Sequence, residues 1–386
     1  MVFQKAVILS RFMPWPSDTG AFLYSAFIAE LVAQMAAETV LIAAEHPRTV
    51  AIAPRGIRVV SAPARKVSAM RYFSSSLPYA ALQMFTPELR NCAKAELAEA
   101  DLVVLDHIGS TWALDLAFAD RTSRSRIVHV AHNVESDTRR SAVGAGGLRG
   151  AFARFDTTRI ERFEHELLHR SDAVVCISDD DCQRFHHLGA TASLLVVNPV
   201  YPGNARFVPL TSETPRRIVL IGSFHWRAKQ QNLWRFLAAR ASVPEARDIA
   251  VRVVGSIPFA LRRRILDKYP EIEVIGPVPR VEDHLNGCRI GVVPEVEGGG
   301  FKLKVLDYVY SGLPIFGLQN GLRGLPLRHG KSMRAFDSMD MLWRGIAEWI
   351  DDTKSLHALR QAALGAFEAG HDSRHLLDDL TQFLEG

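Results

Sequence analysis

Short apolar segments alternate with longer segments of helical periodicity along most of this 386-residue chain. A helical pattern at 22–36, for example, follows the first apolar segment directly. Alternation of this kind predicts an α/β fold, in which helices cover both faces of a parallel sheet. In the first half, the predicted strands are KAVILS (5–10), TVLIAAE (39–45), IRVVSA (57–62), DLVVLDH (101–107), RIVHVAHN (126–133) and DAVVCIS (172–178).

The alternation stops in NPVYPGNARFVPLTSETPRR (198–217), which contains four prolines, and then restarts. Two such units predict two Rossmann-like doubly wound domains that face a cleft, with ligands beyond the carboxyl ends of the strands. After the break, the predicted strands are 217–223, 249–256, 272–278, 289–294 and 313–318, and the predicted helices are 230–240, 258–268, 281–287 and 301–311. The predicted boundaries are 1–200 for the first domain, 201–216 for a linker, 217–370 for the second domain and 371–386 for a terminal helix. That helix either ends the second domain or packs back on the first.

The composition is that of a globular protein, with 48% hydrophobic and 23% charged residues. The net charge of +4 suits a phosphate-bearing ligand or an anionic membrane surface, but it is too small to indicate nucleic acid. The four cysteines form no CxxC pair, which favours free thiols in a reducing compartment. The N-terminus lacks a signal-peptide core, and no apolar run approaches the roughly 20 residues that span a bilayer. We therefore expect a cytoplasmic protein, with contact at the inner face of the membrane left open.

One glycine-rich segment, PEVEGGGFKLKVLDYVYSGLPIFG (294–317), joins a predicted strand to a predicted helix. Glycines let the backbone approach a ligand, and the helix after them directs free N–H groups toward an anion. Lys302 and Lys304 add positive charge, and Asp307 can accept hydrogen bonds from a ribose. From spacing alone, a phosphate or diphosphate site competes evenly with a tightly packed loop in which Lys304 pairs with Asp307.

These residues resemble the donor-binding segment of retaining glycosyltransferases of family 4 (glycosyl transferases group 1), which have the GT-B fold. Four further blocks resemble the same family, in the family's order: MPWPSDTGAFLYSAFIAEL (13–31), HVAHNVES (129–136), HELLHRSDAVVCISDDD (165–181) and IGSFHWRAKQQNLWRFL (221–237). The resemblance implies an acceptor-binding first domain and a second domain that binds a nucleotide-diphosphate sugar. It also implies a retaining transfer in which the leaving diphosphate takes the acceptor proton, with no cofactor or metal besides the donor substrate.

Residue roles follow from the resemblance and from the predicted strand ends. The predicted catalytic residues are His132, Lys304 and Arg227. The predicted donor-binding residues are Gly222, Lys229, Glu297, Gly298, Gly299, Gly300, Phe301, Lys302 and Asp307. The predicted acceptor-side residues are Gly20, His107, Asn133 and Glu135, of which His107 is assigned because it ends a strand at the same edge. The cations and the helix N-terminus would stabilise the departing diphosphate. His132 has a second interpretation, as a hydrogen-bonded histidine that only ends a strand.

The sequence departs from the commoner family pattern at three places. One is the first loop, which carries one glycine, Gly20, where the family often has two. That pattern has two glutamates separated by seven residues, whereas Asp307 stands at the later position and Gly299 at the earlier one. Glu295 and Glu297 lie slightly before it, so the residue that holds the sugar hydroxyls stays open. Ser223 stands where an arginine often follows the glycine. These departures keep a noncatalytic sugar-nucleotide-binding protein, and also a GT-B epimerase, among the alternatives.

Two other motifs indicate different chemistry. HELLH (165–169) would place two imidazoles one helical turn apart, as in a zinc metallopeptidase, but no third ligand follows at a recognisable spacing. GAGGLRG (144–150) resembles a dinucleotide-binding loop, but it does not follow a predicted strand, so we expect an ordinary loop.

Two segments, 70–85 and 139–163, combine arginines with aromatic residues. They could rest on an anionic membrane that carries a lipid-linked acceptor, or form an ordinary solvated face. The likeness to the family suggests surface polysaccharide or glycolipid synthesis. The base, the sugar, the acceptor, the linkage and the oligomeric state cannot be predicted from the sequence.

Overall fold

The computed structural model describes residues 2–17, 19–46, 54–119, 125–142, 147–201, 203–278, 280–296, 301–369 and 373–385. Two compact units divide the chain. The first combines Met1–Pro199 with Ser373–Gly386, and the second is Val200–Asp372. Among the described residues, no helix is both long enough and apolar enough to cross a membrane.

The first unit is built on a parallel sheet. Its strands are β1 (Phe3–Phe12), β2 (Ala36–Glu45), β3 (Ile57–Pro63), β4 (Leu102–Asp106), β5 (Arg126–Ala131), β6 (Ala173–Cys176) and β7 (Ser193–Val196). They lie in the order β3-β2-β1-β4-β5-β6-β7. The central strands are buried along nearly their whole length, as expected for a sheet covered on both faces.

Helices cover both faces of this sheet. They are α1 (Gly20–Met35), α2 (Ala69–Ser74), α3 (Tyr79–Met84), α4 (Pro87–Leu97), α5 (Leu114–Ala119), α6 (Glu135–Ala142), α7 (Gly147–Arg170) and α8 (Asp179–His187). The start of α7 at Gly147 corrects the loop predicted over 144–150, because 147–150 are helical. The C-terminal helix of the chain, 373–385, also belongs to this unit, where the Arg126 guanidinium donates to the Phe383 carbonyl at 3.3 Å.

The second unit repeats the pattern with a smaller parallel sheet. Its strands are β8 (Arg217–Ile221), β9 (Ala250–Val254), β10 (Glu273–Ile275), β11 (Ile290–Val293), β12 (Ile315–Leu318) and β13 (Arg334–Phe336), in the order β10-β9-β8-β11-β12-β13. Its helices are α9 (Arg227–Ala239), α10 (Phe259–Lys268), α11 (Lys304–Tyr310), α12 (Met339–Trp349) and α13 (Thr353–Glu368), and the C-terminal helix of the first unit is α14 (Ser373–Glu385). In the core, the Trp343 indole stacks on Phe236 at 4.5 Å and donates to its carbonyl.

Two predicted helices of the second unit differ from those observed. The segment predicted as helix 281–287 forms only one 3-10 turn, Glu282–His284, because Gly287 turns the chain in the left-handed region at φ 73°. The helix predicted at 301–311 begins later, at Lys304. Phe301 and Lys302 therefore precede the helix rather than form its first turn. The remaining pattern confirms the predicted α/β fold with two Rossmann-like parallel sheets.

Candidate functional site

The order of the second sheet reverses between β8 and β11, which are neighbours in its centre. Open α/β sheets bind ligands outside the carboxyl ends of their strands at such a point. The chain leaves β8 at Gly222 and leaves β11 just before Glu295, so both residues border the candidate site. The predicted donor-binding residues Glu297, Gly298, Gly299 and Gly300 lie outside the described residues.

Tyr308 fixes helix α11 over this reversal point. Its side chain is fully buried, and its hydroxyl accepts from the Ile221 N–H at 2.9 Å while lying 3.2 Å from the Val219 carbonyl. Val305, Leu306 and Val309 of the same helix are also buried. Because α11 is held by these buried side chains, Lys304 and Asp307 keep fixed positions beside the strand ends.

Lys304 pairs with Glu295, not with Asp307. The Lys304 ammonium donates to Glu295 Oε1, and the second carboxylate oxygen, Oε2, is buried without a hydrogen-bond partner among the described residues. Burial raises the pKa of Glu295, but the charges of Lys304, Lys302 and Lys229 outweigh burial, so the pKa lies below its usual value. Three cations therefore surround one buried carboxylate, which leaves a net positive site at the sheet edge.

Glu295 was not among the predicted site residues. The signal that could have identified it is its place, because it is an acidic residue immediately after the strand that borders the reversal. Glu297 lies outside the described residues, and Glu295 is the acidic residue that the structure places at the site.

Lys229 and Arg227 lie in the first turn of α9, which follows β8. Solvent reaches much of the Lys229 side chain, yet the protein around its amine lowers its pKa by desolvation, and the Lys304 charge lowers it further. Arg227 is exposed, and the N-cap residue of α9, Trp226, makes no side-chain cap. The N–H groups of this first turn thus lack a side-chain cap beside Lys229.

Gly222 owes its position to a close backbone contact with Gly255, which follows β9. The Gly222 N–H donates to the Val254 carbonyl at 3.1 Å. Gly255 has φ +127°, and a Cβ there would lie 2.0 Å from the Gly222 oxygen, so only glycine fits. The two strand ends consequently meet backbone to backbone at the site.

Phe301, one of the predicted donor-binding residues, packs its side chain inward. Its side chain is buried and makes an edge contact with Phe367 of α13, with ring centroids 6.1 Å apart. This contact fixes the chain between the glycine segment and Lys302.

Asp307 lies one turn after Lys304 and is partly buried. Burial, with a smaller contribution from the nearby Glu282 carboxylate, raises its pKa to about 7. Glu282 accepts from the Tyr201 hydroxyl at 3.0 Å, and the Tyr201 ring stacks on Tyr310 at 4.4 Å. Tyr201 and Glu282 were also missed, because they become neighbours of Asp307 only through folding.

A second polar cluster lies in the first unit, where the order of its sheet reverses between β1 and β4. His132, which follows β5, lies 2.7 Å from Asp106 through Nε2, and both side chains are buried. The hydroxyls of Ser10 and Ser25 each donate to the other Asp106 oxygen at 2.6 Å. Burial alone would raise the Asp106 pKa, but His132 and the two hydroxyls lower it to about 2. Asp106 therefore stays ionised and fixes the imidazole.

The predicted acceptor-side residues His107, Asn133 and Glu135 come together beside this pair. Glu135 Oε1 accepts from Asn133 at 3.1 Å and lies 3.3 Å from His107 Nε2. Burial lowers the pKa of His107. Burial alone would raise the pKa of Glu135, but His107, Asn133 and Arg139 lower it to about 2. Gly20 is the first residue of α1, which is capped by the Thr19 side chain.

The two histidines of HELLH stack on each other with ring centroids 3.9 Å apart. Nδ1 of His169 lies 2.8 Å from the His165 carbonyl, and Glu166 is shared by Arg162 and Arg170 at 3.5 Å each. In the part of the chain that the structure describes, no group of three or more metal-binding side chains is found. These contacts are those of a solvated helix face.

Comparison with known proteins bears on both units. Residues 215–352 match the family model described as glycosyl transferases group 1. This stretch belongs to the group 1 glycosyltransferases. The match confirms the family resemblance predicted from the sequence and the prediction of a glycosyltransferase. A search of curated proteins found no match.

Solved glycosyltransferase structures share the fold over nearly the whole chain. Sucrose-phosphate synthase from Thermosynechococcus elongatus has a TM-score of 0.72 at 17% identity and covers 99% of this chain and 98% of its own. Anabaena HepE in complex with UDP-glucose has a TM-score of 0.68 at 14% identity and covers 99% of both chains. WaaG, a glycosyltransferase involved in lipopolysaccharide biosynthesis, has a TM-score of 0.64 at 14% identity and covers 99% of this chain and 100% of its own. These likenesses confirm the predicted GT-B fold class.

Proposed function

We propose that the protein transfers a sugar from a nucleotide-diphosphate sugar to a glycan or lipid-linked acceptor, with retention of configuration and without a metal ion. In this proposal the second unit binds the donor and the first binds the acceptor. The observation that carries it is the group of Lys304, Lys302 and Lys229 around Glu295 at the β8–β11 reversal. The solved structure of HepE with UDP-glucose supports the donor class. The role of WaaG in lipopolysaccharide biosynthesis supports a surface glycan as product.

The chemistry of the site fits a departing diphosphate. Breaking the glycosyl–phosphate bond leaves negative charge on the diphosphate, and preorganised cations lower the barrier by meeting that charge. Before the donor arrives, Glu295 holds Lys304 in place. A phosphate oxygen then competes with Glu295 for the same ammonium, while the lysines on either side keep the site positive. Asp307 accepts hydrogen bonds from the ribose hydroxyls.

His132 and the residues beside it would act on the sugar and the acceptor. Asp106 fixes His132 through Nε2, so Nδ1 is the ring nitrogen left for a substrate hydroxyl. Glu135, held by His107 and Asn133, adds a second anchored acceptor group. No protein carboxylate has to take the acceptor proton, because the departing diphosphate does so.

Donor turnover tests this proposal without knowledge of the acceptor. A panel of nucleotide sugars is incubated with the wild type, and release of nucleoside diphosphate is measured in the presence and absence of EDTA. We expect one donor to be consumed, slowly by hydrolysis and faster with the right acceptor. NMR should show an unchanged anomeric configuration in the product. Lys304→Ala should lose this turnover, and Lys331→Ala, an exposed lysine of the same unit, should keep it.

The same assay separates the alternatives. An epimerase would release a sugar inverted at its second carbon without any acceptor. A noncatalytic binding protein would bind the donor and leave it intact. Either result would overturn the transfer reaction, and a loss of turnover in EDTA would overturn metal independence.

We further propose that the first unit rests on an anionic membrane through a docking patch of Met70, Phe73, Phe152 and Phe155. Met70 is 82% exposed and Phe73 60% exposed. The rings of Phe73 and Phe155 lie 5.8 Å apart, so the patch is continuous between α2 and α7. Arg65, Lys66 and Arg154 are exposed nearby in the sequence, and cations beside an apolar patch favour anionic lipid.

Vesicle cosedimentation tests the docking patch. We expect binding to phosphatidylglycerol-containing vesicles that weakens with salt, and little binding to pure phosphatidylcholine. Met70→Ser combined with Phe73→Ser should abolish it. Phe259→Ser removes a residue that is 78% exposed in the second unit and serves as the control. Equal binding by both variants would contradict membrane docking through this patch.

A further inference from the structure

Arg11 is a partly exposed cation of the first unit. It lies at the end of β1, beside the point where the order of the first sheet reverses. Its Nε is buried without a hydrogen-bond partner, and within the described residues Arg11 makes no ion pair. Its guanidinium lies 5.0 Å from the Phe12 ring. Burying a guanidinium N–H without an acceptor is costly, so such a side chain points to a ligand.

The backbone around Arg11 is shaped to hold its stem. A Cβ on Gly109 would lie 2.8–3.0 Å from three side-chain carbons of Arg11, so a larger residue there would displace it. Two residues earlier, His107 has φ 66°, a strained conformation for a side-chain-bearing residue. The Gly109 N–H donates to His107 Nδ1 at 2.9 Å and holds this turn in place. Strain of this kind often accompanies a binding site.

A second arginine, Arg139, lies close enough for its charge to act on both Arg11 and Glu135. Arg139 of α6 is partly buried and, among the described residues, forms no ion pair. Its charge opposes that of Arg11, whereas Glu135 stabilises Arg11, and burial lowers the Arg11 pKa more than either. The Glu135 carboxylate is already shared by His107 and Asn133. Arg11 and Arg139 thus lie near one carboxylate, Glu135, that already has other partners.

We propose that Arg11 and Arg139 bind a phosphate group of the acceptor substrate. Guanidinium groups match phosphate oxygens with paired hydrogen bonds, and two of them neutralise a phosphate dianion. This inference rests on the proposed function, since it assigns the site to the acceptor. The donor phosphates have a separate set of cations in the second unit, around Glu295.

The surroundings of Arg11 connect this phosphate site to the docking patch. Tyr79 and Asp156 both lie close enough to Arg11 to raise its pKa. Asp156 accepts from the Tyr79 N–H at 2.8 Å and from the Tyr72 hydroxyl at 3.2 Å. The Tyr72 ring in turn stacks on Phe152 of the docking patch at 4.3 Å. A phosphate carried by an isoprenoid lipid would therefore have apolar surface within the same cluster, whereas a soluble sugar phosphate would use the arginines alone.

Calorimetric titration of the full chain with three probes tests this proposal: glucose 6-phosphate, farnesyl phosphate and uncharged farnesol. We expect at least one phosphate probe to bind and farnesol to bind much more weakly. Arg11→Gln and Arg139→Gln should each weaken phosphate binding by about tenfold or more. The phosphate probe that binds more tightly identifies the source, soluble or lipid-linked.

Matched variants make the result specific. Arg140→Gln changes the same charge on the same helix, but Arg140 already pairs with Asp137 and Glu161, so phosphate binding should be unchanged. Lys304→Ala should lose donor binding and keep the phosphate probes. Arg139 is partly exposed, so Arg139→Gln tests the site even if Arg11→Gln folds poorly. This inference would be overturned if phosphate affinity were unchanged in both Arg11→Gln and Arg139→Gln. It would also be overturned if Arg140→Gln lowered that affinity equally. If the wild type bound no nucleotide sugar, that result would instead overturn the proposed function.

Discussion

Lys304 donates its ammonium to Glu295, a carboxylate buried where the chain leaves β11. The two residues lie nine positions apart, on either side of the glycine segment. The pair lies beside the β8–β11 reversal, and Lys302 and Lys229 lie close enough to act on the same carboxylate. The free protein thus holds its phosphate-binding lysine on an internal anion.

Replacement of Glu295 tests this relationship. Glu295→Gln leaves the Lys304 ammonium without its anion. Removing one partner of a buried ion pair lowers the free energy of unfolding by about 3 kcal/mol or more. We expect a lower melting temperature for the free protein and a larger stabilisation by the cognate nucleoside diphosphate than in the wild type, because its phosphates replace the lost charge. Scanning calorimetry with and without nucleotide measures both.

The control for this experiment is Glu271→Gln in the same unit. Glu271 pairs with Arg240 at 2.8 Å but is 54% exposed, so its loss should cost less than about 1 kcal/mol. Equal nucleotide stabilisation of Glu295→Gln and the wild type would show that the pair does not stand in for a ligand phosphate.

Donor binding should depend on pH through Asp307. Burial, with Glu282, raises its pKa to about 7, so the carboxyl is protonated below that pH and ionised above it. The ionised form accepts hydrogen bonds from ribose hydroxyls better, so affinity for a nucleotide sugar should rise between about pH 6 and pH 8.

Asp307→Asn should bind the nucleotide sugar weakly, with no such rise in affinity. Asp267→Asn, an exposed residue of α10, should keep the wild-type profile. A profile that is unchanged in Asp307→Asn would exclude Asp307 from the ribose site.

Stability should fall with rising pH because of Glu164. Burial raises its pKa to about 7 from an ordinary 4.5, although Ser136 and the Glu135 N–H partly oppose this effect. The folded protein therefore keeps a proton that the unfolded chain releases. The resulting stability is complete below about pH 4.5 and is lost as the pH rises toward 7, by up to about 3 kcal/mol.

Denaturant unfolding at several pH values checks this prediction through the difference between variants. Glu164→Gln should remove this part of the decline between pH 5 and pH 7.5. Glu161→Gln, on the exposed face of the same helix, should leave it in place. An identical pH dependence in Glu164→Gln and the wild type would contradict the prediction.

Asp106 should act through His132 rather than on substrate. Asp106→Asn leaves the buried imidazole without its anion, and we expect a loss of stability of about 3 kcal/mol. Turnover should fall while affinity for the nucleotide donor changes little, because Asp106 and the donor lysines lie in different units. Ser25→Ala removes one hydroxyl from the Asp106 carboxylate and keeps its contact with His132, so turnover should remain near the wild type. A drop in donor affinity equal to the drop in turnover would contradict a positioning role.

Much of the fold was predictable because periodicity is local. Segments such as 5–10 and 126–133 contain enough apolar residues to predict buried strands. Those strands form at nearly the predicted positions. The helix predicted at 281–287 failed for an equally local reason, since Gly287 ends it after one turn. The order of the strands was not predictable, because it depends on which edges meet in three dimensions.

The site was predictable only where a motif marked it. Lys304 and Asp307 stand in a recognisable segment, whereas Glu295 gains its role from a partner across that segment. Arg11 and Asp106 carried no signal, since an arginine or an aspartate at a strand end is common. Their importance comes from residues about a hundred positions away, which only the sheet brings beside them.

The central claim is that a nucleoside diphosphate binds at Lys304 in the second unit. Its most direct test is a thermal-shift panel of nucleotide-diphosphate sugars with the wild type, Lys304→Ala and the control Lys331→Ala. The account predicts that one donor raises the melting temperature of the wild type and of Lys331→Ala, and that Lys304→Ala loses this shift. Stabilisation of Lys304→Ala equal to that of the wild type, or no stabilisation by any donor, would contradict it.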